Sequence, residues 1–184
     1  MYKRQGLLDL EVGYRPELNL PVGVRLSAGV RGLAASGDAT WSSPDQDKLG
    51  KFSDETWAVG PRIAIDASLP INEERGLALV GSVGGAALFG ERSSDYDFRD
   101  SDVFESVSSS KSVTIWNVDA MVGLNKTIAA NGANFTIGYK AQSFSNLAAN
   151  RYNVGDDGAG DFVEDGDRDV LVHGPFAKFT VPLN

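Results

Sequence analysis

The sequence contains no cysteine. That excludes a disulfide framework, a thiolate metal site and a thiol nucleophile. Histidine is almost absent as well, since His173 is the single one. A Ser-His-Asp triad or a His-rich metal site therefore has little to be built from, and the expectation is a protein that is not an enzyme, with no cofactor and no metal. No stretch reaches the roughly 18 consecutive apolar residues that a membrane helix needs. The longest apolar run, residues 77–90 (LALVGSVGGAALFG), is broken by glycines and a serine, each glycine costing a helix about 1 kcal/mol relative to alanine. A net charge of −8 argues against a nucleic-acid partner, because phosphate neutralisation needs a basic surface.

What the chain does have is alternation. Seven segments switch between apolar and polar residues with a period of two, the mark of a strand with one face in each environment. Leu8, Leu10, Val12 and Tyr14 oppose Asp9, Glu11, Gly13 and Arg15; Val22 to Val30 oppose Gly23, Arg25, Ser27, Gly29 and Arg31. In residues 57–69, Trp57, Val59, Ile63, Ile65, Ala67 and Leu69 oppose Ala58, Gly60, Arg62, Ala64, Asp66 and Ser68. Leu77, Leu79, Val83 and Phe89 share a face in residues 77–90. Trp116, Val118, Ala120, Val122 and Leu124 oppose Asn117, Asp119, Met121, Gly123 and Asn125, and Phe135, Ile137, Tyr139 and Ala141 oppose Thr136, Gly138, Lys140 and Gln142. The least regular segment, residues 170–183, sets Leu171, Phe179, Val181 and Leu183 against Gly174 and Lys178.

The connections sort by length. Residues 16–21, 70–76 and 127–133 are short and carry the Pro, Asn and Gly that turns require. Residues 36–54, 91–111 and 146–167 are long and rich in Ser, Asp and Gly. Short turns on one side with long loops on the other are the habit of outer-membrane barrels, whose long loops lie outside the cell. Alternation by itself fits two arrangements. A soluble barrel or sandwich would bury the apolar face as its core, whereas a membrane barrel would turn that face to lipid and its charges to a wet lumen. Tyr14, Trp57, Phe89, Trp116, Phe135 and Tyr139 stand at or near strand ends, as interfacial aromatic girdles do.

Four segments, LLDLEVGYRPELNLPVGVRLSAGVRGLA (7–34), WAVGPRIAIDASLPI (57–71), GLALVGSVGGAALFGE (76–91) and VHGPFAKFTV (172–181), together resemble the Legionella-type pore-forming major outer-membrane proteins in order, spacing and style. The resemblance covers nearly all of residues 7–181. It implies an all-β fold, an antiparallel transmembrane β-barrel, set in the outer membrane. Two features depart from the family pattern: members carry a signal peptide and further strands before the "DLEVG" strand, and outer-membrane barrels usually end on an aromatic residue, whereas this chain ends Val181-Pro182-Leu183-Asn184. Residues 1–5 (MYKRQ) read as a non-native start and 6–184 as a partial barrel domain of seven visible strands. An even strand total then asks for an odd number of strands upstream.

The expected function is a passive pore for small hydrophilic solutes or ions. Two alternatives stand beside it: a closed barrel acting through its surface loops, and a soluble β-barrel binding an apolar ligand. The expected pore-lining residues are Asp9, Glu11, Arg15, Arg25, Arg31, Arg62, Asp66, Asp119 and Lys140, as a charge network setting selectivity or as pairs that hold register. The expected partners are outer-membrane lipid, lipopolysaccharide, the barrel assembly machinery and small solutes. Gly60-Pro61-Arg62 and Gly174-Pro175-Phe176 put proline inside strands, where it usually marks a bulge or an edge. His173 reads as structural or interfacial. The acidic stretch from Gly155 to Asp167 lacks the regular calcium-loop pattern and reads as solvated.

Overall fold

The computed structural model describes residues 2–43, 48–100, 103–128, 132–154 and 161–181. Seven strands form one antiparallel sheet in chain order: β1 (Tyr2–Tyr14), β2 (Gly23–Ser43), β3 (Lys48–Asn72), β4 (Leu77–Asp100), β5 (Val103–Thr127), β6 (Asn134–Val154) and β7 (Asp161–Thr180). Each strand pairs with its sequence neighbour, so every connection is a hairpin, and no helix occurs among the described residues. Tyr2–Gln5 continue β1 in register, from Tyr2↔Asp38 to Gln5↔Ala35. The chain's last three residues and the acidic 155–160 connection lie outside the described residues.

The alternation predicted from sequence is the alternation observed. Leu8, Leu10 and Val12 on β1, Leu26 and Val30 on β2, and Trp57, Val59, Ile63 and Ile65 on β3 are all exposed on one side, here called the outer face. Val83 and Phe89 on β4, Trp116, Val118 and Val122 on β5, Ile137 and Tyr139 on β6, and Leu171 and Phe179 on β7 continue it. The opposite, inner face carries the charges. The sheet is coiled enough that strands three apart meet across it, Arg31 of β2 reaching Asn117 and Asp119 of β5. A soluble sandwich would bury the apolar row; here the apolar row is the exposed one, which is the order of a membrane barrel wall.

Two expectations from sequence need correction. Composition points to long loops at 36–54, 91–111 and 146–167, but their described parts are strand. The ladders run to Ser43↔Lys48, Asp100↔Val103 and Val154↔Asp161. Strands β2 to β7 are therefore 20–25 residues long, against the roughly 9–11 that cross a bilayer. In these extensions polar residues occupy both faces, the inner one included, where Arg92 and Ser94 are buried, so hydropathy no longer alternates although the backbone ladder continues. Cross-strand serine–carboxylate pairs take over from apolar contact: Ser106 donates to Asp97 at 2.9 Å, Ser108 to Asp95 at 2.6 Å and Ser53 to Asp38 at 2.9 Å.

Neither Pro61 nor Pro175 makes a bulge. Pairing of β3 to β4 skips Gly60 and Pro61 but resumes in the same register, and Pro175 pairs with Tyr139 without a shift. Pro61 omits its ladder bond locally, and β7 is hydrogen-bonded to β6 alone, so a residue without an N–H is tolerated there as on an edge. The irregularities fall elsewhere, between Pro70 and Asn72, and on β6 around Asn146, which has φ 64°. At the short-turn end, Asn72 accepts from the Arg75 N–H at 2.9 Å, the Gly76 N–H reaches the Glu73 carbonyl at 3.0 Å, and Gly76 takes φ 60°. A left-handed residue closing the turn is what the glycine there supplies.

Candidate functional site: the inner face of the sheet

From the short-turn end to the long-hairpin end, the inner face of the sheet passes through a succession of environments, to which the strands contribute unequally. First comes a half-exposed polar zone, in which Arg25 and Asp66, directly paired across β2 and β3, form an ion pair at 3.1 Å. The Arg25 guanidinium lies over Gly13, where any side chain would collide with it. Asn125 donates to the Thr136 hydroxyl at 2.7 Å and to the Asn134 carboxamide at 3.0 Å nearby.

Next is a charge cluster drawn from four strands, buried at Arg31, Arg62 and Asp119 and opening toward water at Glu11 and Asp9. Arg31, 1% exposed, grips Asp9 with two parallel bonds of 2.7 Å, the forked geometry a guanidinium is built for. Its remaining terminal nitrogen donates to Asp119 at 2.6 Å and to the Asn117 side-chain oxygen. Arg62 contacts Glu11 at 2.8 Å and the second oxygen of Asp119 at 3.1 Å, with Asp9 at 3.6 Å. Asp119 thus bridges the two arginines. The Arg62 guanidinium lies over Gly84, again in the space a Cβ would occupy. Asn117 ties the cluster to β6 by donating to the Ser143 carbonyl at 3.0 Å. Two arginines face three carboxylates, so the charges nearly cancel, which a buried group of ions must achieve to offset its desolvation.

Beyond the cluster lies an apolar layer, Leu33, Ala58, Ala86, Leu88, Val113, Ile115, Phe144 and Leu147, all buried, with Leu7 and Val170 packed against it from β1 and β7. Beyond that the face becomes polar again. Arg92 donates to the Asn146 carbonyl, and Ser94 donates to Asp54 at 2.5 Å.

Of the residues predicted to line a lumen, Asp9, Glu11, Arg31, Arg62 and Asp119 are brought together, while Arg25 and Asp66 form a separate pair. Lys140 lies half-buried on the inner parity of β6, opposite Met121 and Gly174. Arg15 does not lie in the wall: β1 ends at Tyr14, and Arg15 is exposed in the following turn. His173 is exposed on the outer side, hydrogen-bonded to Tyr139 with ring centroids 5.9 Å apart. Asn117 and the apolar layer are the participants that sequence reasoning misses. Their signal was parity, since Val113 and Ile115 sit at the same odd positions as Asn117 and Asp119.

The outer face has its own margins. Trp57 is followed toward the hairpin end by Glu55, Phe89 by Glu91, and Trp116 by Thr114 and Ser112, all exposed. Bulky aromatics at the switch from apolar to polar mark a lipid–water boundary. Cysteine placed at half-exposed Arg25 or Asp66 should react with a small hydrophilic thiol reagent, while cysteine at Leu26, Ile63 or Ile65 should be shielded by lipid. The reverse labelling pattern would mean that the apolar row is not in a membrane.

An antiparallel sheet with an apolar outer face, aromatic margins and ions gathered on its concave side defines the wall of an outer-membrane β-barrel. The family model described as Legionella pneumophila major outer membrane protein precursor matches residues 5–182, and the chain belongs to that family. Its place is the outer membrane. No curated protein and no solved structure matches the chain.

Proposed function

We propose that the protein is a narrow diffusion pore for small hydrophilic solutes or ions. The observation that supports this most directly is the sorting of charge. Asp9, Glu11, Arg25, Arg31, Arg62, Asp66 and Asp119 all belong to the inner face, in strands whose outer face is apolar. Rings of charged side chains are one way channels choose among ions. On this reading the short turns face the periplasm, the long hairpins project from the cell, and no chemical step or cofactor takes part. Lipid and lipopolysaccharide contact the outer face, and the barrel assembly machinery inserts the chain.

A second reading, a closed barrel that acts through its hairpins, is favoured by the buried apolar layer on the inner face. Planar-bilayer recording on the full chain purified from outer membranes separates the two. The pore reading expects discrete currents, and expects Arg31→Gln with Arg62→Gln to move the reversal potential toward cation preference. Folded protein that inserts and passes no current would establish the closed barrel instead.

A further inference from the structure

We infer that the apolar layer is the gate of this pore, set by a single left-handed residue in β6, an inference that rests on the pore reading above. Leu88, Ile115 and Phe144 have no solvent exposure, and Leu33 and Leu147 very little, although the first three and Leu33 occupy the inner parity that elsewhere carries charge. They come from β2, β4, β5 and β6, and Leu7 and Val170 close against them from β1 and β7. An apolar constriction of this kind sheds water, so an ion crossing it loses its hydration with no polar group to replace it. The layer lies directly beside the charge cluster. An ion leaving Arg31 and Asp119 toward the hairpin end therefore meets the constriction next.

The constriction depends on a register shift. On β6, Ser143 pairs with Val118 of the outer row, so regular alternation would send Leu147 outward with Ser143 and Ser145. The register instead slips between Phe144 and Ala148, with Asn146 at φ 64°, and both Phe144 and Leu147 end up inside. Asparagine is among the few residues that accept this conformation. Three other strands hold it there. Its N–H donates to Asp169 of β7 at 3.2 Å, its carboxamide donates to the Thr114 carbonyl of β5 at 3.2 Å, and its carbonyl accepts from Arg92 of β4. Bulges in barrel walls commonly re-aim a side chain in this way.

The test is planar-bilayer current from the full chain against Ile115→Ser and Leu88→Ser, with Val122→Ser on the outer face as control. A wetted constriction should raise mean current by about tenfold, the change that a barrier lower by about 1.4 kcal/mol gives. Asn146→Gly accepts the left-handed conformation and keeps the backbone bonds to Asp169 and Arg92 but loses the carboxamide bond to Thr114. It should raise the current less than Asn146→Val, which should raise it as the serine variants do. Equal currents from the two variants would overturn the role of the left-handed residue. Heat-modifiable migration on gels confirms that each variant is folded, and Ile115→Thr serves if Ile115→Ser is not. If the unaltered chain conducts and folded serine variants pass the same current, the gate is overturned while the pore stands. If neither the unaltered chain nor any folded variant passes current, the pore reading itself fails and the gate falls with it.

Discussion

Asp119→Ala should lower the barrel's stability by about 3–5 kcal/mol, the usual cost of removing one partner from a buried ion pair. Asp119 is almost fully buried and holds Arg31 at 2.6 Å and Arg62 at 3.1 Å. Its removal leaves two guanidinium groups facing Asp9 and Glu11 with nothing between them. Asp66→Ala supplies the contrast. Its partner Arg25 is about a third exposed, as is Asp66 itself, and pairs that open to water contribute roughly 0.2–1 kcal/mol. Urea unfolding in detergent micelles or vesicles, read by tryptophan fluorescence, measures both. Equal losses at the two sites would mean that the cluster is as wet as the Arg25–Asp66 pair. The bridging role of Asp119 would then be lost.

The membrane-crossing part of the fold was legible because there the two faces meet different solvents. Trp57 to Leu69 could be read as a strand, with its outer row, from residue types alone. The hairpin extensions were not legible, because polar residues, Ser106, Ser108 and Ser110 among them, occupy both faces there and hydropathy carries no period. The charges of the inner face were readable as a set, but not as a cluster. What joins Arg31 to Asp119 is the coiling of β2 to β5, a property of the sheet and not of either segment. The apolar layer escaped for a related reason. Leu88 and Ile115 look like every other apolar residue of their segments, and only strict counting of odd and even positions turns them inward. At Leu147 even that count fails, since the slip at Asn146 reverses it.

The remaining expectation concerns the outer face and its depth in the bilayer. Ile65 lies about midway along the apolar row of β3 between Trp57 and Ile71, beside Leu26 and Val83 on the neighbouring strands. Lysine at the midplane of a lipid-facing row costs roughly 2–4 kcal/mol, falling to about 0–1 near the interfaces. Ile65→Lys should therefore show the full penalty. Val118, one outward-facing position from Trp116, is close enough to the margin for a lysine to extend its ammonium toward headgroups, so Val118→Lys should cost clearly less. The inner-face control must be chosen with care. Ser27 and Thr136 have the right parity but are buried, and Thr136 is already the acceptor for Asn125, so lysine there would suffer for reasons unrelated to lipid. Ser82 is half-exposed and pairs directly with Asp66; Ser82→Lys should be close to neutral. Unfolding free energies measured in vesicles should rank Ile65→Lys as most destabilising, then Val118→Lys, then Ser82→Lys. Were Ser82→Lys to cost as much as Ile65→Lys, the outer face would have no special claim to lipid.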